Sequence, residues 1–456
     1  MSTGTVAVIL AAGKGTRMKS SRAKALFPLC GKPLLHYPIR AARHAGIDRV
    51  VLVVGHQAAA VRAAAAGEDV AFAVQEPQRG TGHALLCAEE ALRGFAGTVF
   101  VHCVDVPLLP AELLTKLLAT HRREENAVTV LTTVLPDAGK YGRIIRGGDG
   151  RVLRITEARD ATPEERRIRE INAGSYCFAA PLIFELLHEI TPDNDQGEYY
   201  LTDVLALATA RGARVGAVIA ADPGQVEGIN DRAQLAEAEA RLRAQICRRH
   251  LLNGVSIIDP ATTYIEDDVV IGQDTVIHPS TMLHGATRIG EGCVVGPFSQ
   301  LFDMTLEDGT TVISSYAERS VLRSGAKVGP YARLRAGCDI GPGSAIGNYA
   351  ELKNTRVGAN SHVHHVGYLG DTTVGDGVNI GAGTITCNYD GARKHPTAIG
   401  HEAFIGSGNL LVAPITIGER ALTGAGAVVT HDVPAGKVAF GVPARVVKDR
   451  AMPEEQ

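Results

Sequence analysis

Residues 271–290 read Ile271-Gly272-Gln273-Asp274-Thr275-Val276-Ile277-His278-Pro279-Ser280-Thr281-Met282-Leu283-His284-Gly285-Ala286-Thr287-Arg288-Ile289-Gly290. An apolar residue returns at every sixth place, and glycine often follows it. A short repeat with one inward apolar side chain and a turn glycine predicts a parallel β-helix, three six-residue sides making one triangular coil. The frame continues through Val295 and Leu301, breaks, and returns at Val328, Leu334, Ile340, Ile346 and Leu352. It reappears at Val374 and Ile380, and again at Ile399, Ile405, Leu411 and Ile417.

Outward from this repeat the chain changes character. Residues 251–456 hold 29 of the 51 glycines, so the 456 residues divide into two unlike halves, and two or three domains are expected. Lys and Arg number 46 against 49 Asp and Glu, a net charge of -3 that argues against non-specific nucleic-acid binding. The 8 cysteines are scattered without a CxxC pair, which points to neither a disulfide framework nor a thiolate zinc site. No apolar run approaches the ~18–20 residues that cross a bilayer. The opening MSTGTVAVILAAGKG has no basic n-region or cleavage-like segment, so a cytoplasmic location is expected.

The first half alternates apolar runs with helical patterns. Thr5–Leu10, Arg49–Gly55, Thr98–Val104 and Ala127–Leu131 read as buried strands, with helices at Leu34–His44 and Gly82–Leu92 between them. That order predicts a doubly wound α/β sheet with its ligands beyond the carboxyl ends of the strands. Leu10-Ala11-Ala12-Gly13-Lys14-Gly15-Thr16-Arg17-Met18 follows the first strand. Small residues there let backbone N–H groups approach a phosphate, a helix start would add its positive end, and Lys14 and Arg17 supply cations, with Lys24 following. The same stretch also suits an ordinary turn. Asp105 ends the Thr98–Val104 strand, where it is either a Mg²⁺ ligand or a turn residue. Asn230 is placed to cap the helix after it. A linker helix over 230–250 separates a domain over 1–229 from the β-helix over 251–456.

Two segments depart from the six-residue frame. One is His362-Val363-His364-His365-Val366-Gly367-Tyr368-Leu369-Gly370-Asp371, and the other is the polar insertion Cys387–Thr397. Solenoids carry binding functions on such departures. On a strand His362 and His364 would share a face and His365 would oppose them, which disfavours a three-histidine metal site. A histidine there suits removal of a proton from an attacking amine, as well as a plain surface cluster.

Leu10–Met18 with Lys24 is similar to the signature of sugar-1-phosphate nucleotidylyltransferases. Gln75–Ala84, Tyr141-Gly142-Arg143-Ile144, Thr156-Glu157, Glu170-Ile171-Asn172-Ala173-Gly174 and Gln196–Asp203 follow in that family's order. The second half resembles left-handed β-helix acyltransferases, and His365–Asp371, Val378–Gly391 and Gly406-Ser407 look like a glucosamine-1-phosphate N-acetyltransferase. The whole chain resembles the bifunctional N-acetylglucosamine-1-phosphate uridylyltransferase/glucosamine-1-phosphate N-acetyltransferase family. The resemblance implies acetyl transfer from acetyl-CoA to glucosamine 1-phosphate, then reaction of N-acetylglucosamine 1-phosphate with UTP. It implies Mg²⁺ on Asp105 and Asn230, and a uridylyl site formed by Leu10, Ala11, Ala12, Gly13, Arg17, Lys24, Gln75, Gly80, Thr81, Gly142, Glu157, Asn172 and Asn230. It implies His365 as the acetyl-site base, with Arg335, Lys353, Tyr368 and Asn379 on the sugar phosphate. Ala382, Asn388, Tyr389, Ser407 and Ala425 would line the acetyl-CoA site of a homotrimer with active sites between subunits.

This chain departs from that pattern at three places. Cys103-Val104 stands where Tyr-Gly is usual, so Val104 is expected to crowd the sugar or ribose. Ala173 lacks a hydroxyl near the sugar. No Arg stands in Phe440-Gly441-Val442-Pro443 for the CoA phosphates, which leaves Arg445 or Lys448 as substitutes. Two other readings share the architecture: a glucose-1-phosphate nucleotidylyltransferase with a regulatory β-helix, and a non-catalytic scaffold.

Overall fold

The computed structural model describes residues 4–450. It divides into two compact units that meet within one helix, at Ala240 and Arg241.

The first unit is built on a mixed sheet. Its strands are β1 (Thr5–Leu10), β2 (Arg49–Val54), β3 (Ala71–Val74), β4 (Thr98–Cys103), β5 (Val128–Val134), β6 (Arg143–Arg146), β7 (Val152–Thr156), β8 (Glu170–Ala179) and β9 (Val215–Ala220). The main order is β9-β5-β8-β4-β1-β2-β3, with the β6–β7 ribbon attached beside β8. Along β1, Val6, Val8 and Leu10 enter one apolar core while Ala7 and Ile9 enter the other. Both faces are covered, which is why this strand reads as a continuous apolar run. Helices α1 (His36–His44), α2 (Ala58–Ala64), α3 (Thr81–Leu86), α4 (Ala111–Arg123), α5 (Leu182–Leu187) and α6 (Asp203–Ala210) lie between the strands.

The winding expected from the sequence holds for β1, β2 and β4, which pair in parallel. It does not extend to β8, which lies antiparallel to both β4 and β5. A register shift between Asn172 and Tyr176 bulges β8, and Gly174 there has φ +68°. The bulge re-aims side chains at the strand edge.

The helix between the units, α7, spans Arg232–Leu252. Its cap is Asp231 and not Asn230: Asp231 Oδ1 accepts from the N–H of Ala233 and Gln234, both at 3.0 Å.

The second unit is a left-handed parallel β-helix of three stacked sheets. Successive coils pair Ile271 with Ile289, Ile277 with Val295 and Leu283 with Leu301, so the sequence period becomes three inward rows. All three rows are buried. The break after Leu301 is a change of corner and not a loss of coil. Leu306, Val312, Ala317 and Leu322 continue the inward rows, but some sides have five residues. Each five-residue side has a residue in the left-handed region as its second member after the inward position: Asp303, Ser314, Arg319, Asn354 and Asp371, with φ between 43° and 51°. Many six-residue sides also carry a left-handed residue, but one place later, as at Asp274, Ser280 and Tyr331, so the short sides turn one residue earlier.

The same device narrows where the frame slips in the histidine segment. Val363 and Leu369 are both inward and six residues apart, so the frame is regular across His364 and His365. One slip falls at the last residue of the expected segment, Asp371, and another lies before it, at Asn354. The insertion before Ile399 is real and self-stapled. Tyr389 pairs with Lys394 across an antiparallel bridge, and Asp390 Oδ1 accepts from the N–H of Ala392 (2.7 Å) and Arg393 (2.6 Å).

Candidate active sites

In the first unit the loop after β1 turns back under its own neighbours. Ala11 N–H donates to Val53 O at 2.8 Å, and Ala12 O accepts from His56 N–H at 3.1 Å. The next four N–H groups, Ala12 to Gly15, meet no protein acceptor among the described residues. Free consecutive donors of this kind make an anion-binding concavity. The expected helix start is only a 3₁₀ turn, Thr16–Met18, so the cationic side chains carry more of the attraction than a helix dipole does. Gly15 has φ +63°, and a Cβ there would stand 2.9 Å from Lys24 Cβ. Glycine at this position therefore lets Lys24 reach the loop.

Lys24, Asp105 and Asn230 converge. Lys24 Nζ donates to Asp105 Oδ2 at 2.5 Å and to Asn230 Oδ1 at 3.3 Å, and Arg17 Nη2 donates to the same Asn230 oxygen at 2.7 Å. Arg17, Asp105 and Asn230 border a cavity of about 470 Å³ whose far wall carries Tyr141, Gly142, Glu157, Asn172 and Gly174. The β8 bulge fixes Asn172, whose Oδ1 accepts from Gly174 N–H at 3.0 Å while its Nδ2 donates to Tyr176 OH at 2.6 Å. Glu157 accepts from Thr202 Oγ1 at 3.1 Å. Burial raises the Glu157 pKa, and the nearby Asp203 and Asp160 carboxylates add to the rise. Cys103 lines the cavity as a thiol, its pKa pushed up to about 12 by burial.

Val104 does not crowd this cavity. It is buried in the core under the sheet, beside Val106, and only its N–H touches the loop, donating to Leu10 O at 3.1 Å. Ala173 is also a core residue at the cavity wall. Gln75 and Thr81 serve the second loop internally. Gln75 is buried with its Nε2 donating to Gly80 O at 2.8 Å, and Thr81 Oγ1 accepts from Leu201 N–H at 3.1 Å. A Cβ on Gly80 would meet the Tyr199 backbone, so this glycine lets the loops over 75–84 and 196–203 close on each other. Sequence reasoning missed Lys140, Gly228 and Gln234 on the cavity wall. The signal for Gly228 was its place two residues before Asn230.

The second unit has its own cavity, about 490 Å³, on the coils that follow the histidine segment. His365, Asn379, Ala382, Ser407 and Ala425 all line it, and so does His364. The strand ends at Val363, so alternation stops there and both histidines reach the same cavity. The rings of His362 and His364 stack at 4.8 Å, and those of His364 and His365 lie 6.1 Å apart. Among the described residues no group of three or more His, Cys, Asp or Glu could hold a metal ion.

The other expected residues lie apart from that cavity. Arg335 pairs with Glu351 at 3.3 Å, and Glu351 is in register with Tyr368. Lys353 is half-buried with its pKa lowered, chiefly by Lys394, and Arg335 also contributes. Asn388 donates to Asp371 Oδ2 at 2.6 Å, and the Tyr389 ring is exposed on the insertion. One chain thus presents two separate sets, a cationic one around Arg335 and Lys353 and a cavity around His365. Arg445 and Lys448 lie on the terminal strand Ala444–Asp449.

Residues 7–197 match the MobA-like NTP transferase domain family, and residues 268–302 match the bacterial transferase hexapeptide (six repeats) family. The chain is 49% identical over 436 residues to the "Bifunctional protein GlmU" of Pelobacter propionicus, covering 95% of each. It is 48% identical over 434 residues to that of Brevibacillus brevis, covering 95% of this chain and 94% of the relative. It is 48% identical over 462 residues to that of Geobacter metallireducens, covering 97% of each. The chain belongs to the bifunctional GlmU family and is a uridylyltransferase and acetyltransferase of UDP-N-acetylglucosamine synthesis.

Proposed function

We propose that the two cavities divide the two reactions. The observation that carries this reading is the convergence of Arg17, Lys24, Asp105 and Asn230 beside a row of free N–H groups. There the phosphate oxygen of N-acetylglucosamine 1-phosphate attacks the α-phosphorus of UTP. The new O–P bond forms as the α–β phosphoanhydride breaks, and pyrophosphate leaves. Such a transfer needs positioning and charge stabilisation more than covalent help. Arg17, Lys24 and the N–H row hold the phosphates, while Glu157 and Asn172 hold the sugar. The donor set fits Mg²⁺: a carboxylate oxygen of Asp105 and an amide oxygen of Asn230 already face one cationic centre, the Lys24 ammonium. Bound there, Mg²⁺ would neutralise charge on the phosphates.

In the second cavity His365 takes the proton as the glucosamine 1-phosphate nitrogen attacks the acetyl-CoA thioester. The C–N bond forms, the C–S bond breaks, and CoA leaves as the thiol. A homotrimer accounts for the two separated sets, since a neighbouring copy can bring its Arg335 and Lys353 to this chain's His365. Eight free cysteines suit a reducing cytoplasm, and no helix among the described residues is long and apolar enough to cross a membrane.

Two variants of the full chain test the division. Asp105→Ala should abolish uridylyl transfer and leave acetyl transfer near wild type, and His365→Ala should do the reverse. If either variant lost both activities alike, the assignment of reactions to cavities would fail.

A further inference from the structure

A larger cavity, about 860 Å³, adjoins the uridylyl cavity and shares Arg17, Lys140 and Glu157 with it. Five cationic side chains line it, Arg17, Lys140, Arg143, Arg159 and Arg166, against the single carboxylate of Glu157. The chain as a whole has a net charge of -3, so this concentration is local.

The five cations differ in what already satisfies them. Arg143 is buried and spends its guanidinium on backbone carbonyls, with Nη2 donating to Gly139 O at 3.0 Å and Nη1 donating to Tyr141 O. It shapes the 138–142 loop, yet no carboxylate among the described residues offsets its charge. Arg159 reaches Asp195 at 3.4 Å. Arg17 has only the neutral Asn230 oxygen. Lys140 and Arg166 have no side-chain hydrogen bond or ion pair among the described residues. Like charges gathered in a concave wall without counter-charges raise one another's energy, and an anion relieves them. Guanidinium groups in particular match phosphate oxygens in pairs.

We propose that this cavity is a diphosphate-binding antechamber outside the reacting centre, with Lys140 and Arg166 as its principal contacts. It receives the terminal diphosphate of UTP on entry, or free pyrophosphate on departure. The proposal rests on the uridylyltransferase reading. Asp105 and Asn230 line the uridylyl cavity but not the antechamber, so the antechamber extends beyond the centre where the bonds change, with Arg17 and Glu157 at the boundary of both.

The test uses the full chain with Arg166→Gln, Lys140→Gln and the double variant, and Arg166→Lys as the charge-keeping control. Two quantities are read across ionic strength: kcat/KM for UTP, and the inhibition constant of inorganic pyrophosphate. Exposed charges act within a screening length of ~8–10 Å at ordinary salt, so the effect should be largest at low salt. In the double variant kcat/KM for UTP should fall about tenfold at low salt and approach wild type at high salt. The pyrophosphate inhibition constant should rise by a similar factor, and Arg166→Lys should keep most of both. A change confined to UTP assigns the antechamber to entry, and a change confined to pyrophosphate assigns it to departure. If neither quantity moves at low salt, the proposal is wrong. Should the wild type show no uridylyl transfer, the functional reading fails instead. Calorimetric titration with pyrophosphate then judges the cavity alone, and equal affinity in wild type and double variant would overturn it.

Discussion

Asp105, Lys24 and Asn230 come from three distant parts of the chain and answer to one ammonium group, so each should be expensive to remove. Asp105→Asn keeps the shape and loses the charge, and it should lower uridylyl kcat by at least ~10²-fold in a pyrophosphate-release assay. Asn172 is held from two sides by the β8 bulge. Asn172→Ala should weaken N-acetylglucosamine 1-phosphate by ~1–3 kcal/mol while leaving the KM for UTP nearly unchanged. Equal changes for both substrates would show that the bulge, and not the sugar, depends on this side chain. In the other unit His365→Ala should lower acetyl transfer by at least ~10²-fold. His362→Ala should cost far less, because His362 does not line the cavity, and EDTA should leave acetyl transfer unaffected.

At the scale of elements, the six-residue frame was legible because one inward apolar residue per side is a strong periodic signal. The tight corners were not legible: Asp303 and Asn354 are of types that tolerate a left-handed backbone, but so are many other Asp and Asn of the repeat, and Ser314 and Arg319 carry no such mark. The antiparallel β8 was hidden for a similar reason: an apolar strand reads alike in either direction, and only the pairing decides. Single residues of the phosphate loop were visible through their motif, whereas the gathering of Lys140, Arg159 and Arg166 with the distant Arg17 depends on the fold. Stacking also makes remote glycines matter. A Cβ on Gly347 would fall 1.8 Å from His364 O in the next coil. Gly347→Ala must therefore shift the His364–His365 backbone. A displacement of about 1 Å at a reacting group can cost ~10²-fold, so acetyl transfer should fall sharply although Gly347 touches no substrate. An unchanged acetyl rate would show that the turn tolerates the push.

Across the whole molecule, buried histidines set the acid limit of stability. Burial holds His102, His121 and His250 as neutral imidazoles and lowers each pKa from 6.5 to about 4. Below about pH 6.5 the unfolded chain binds protons that the folded chain refuses. Stability is thus present above that pH and is lost as the pH falls towards 4. Scanning calorimetry should show Tm dropping by roughly 5 °C or more across this window, and His102→Gln should shrink the drop. A flat Tm between pH 6.5 and 4.5 would contradict the neutral assignment. The far end of the molecule has a different vulnerability. Lys437–Gly441 continues the parallel stack, but its outer side is taken by Ala444–Asp449 running the opposite way, with Arg445 and Lys448 on that last strand. A solenoid without such a stopper is a template that another copy can extend, as a growing crystal face accepts the next layer. Shortening the chain to end at Val442 would leave that template bare. The expected result is slow, concentration-dependent polymerisation into fibres, seen by light scattering, from a protein whose uridylyl site is untouched.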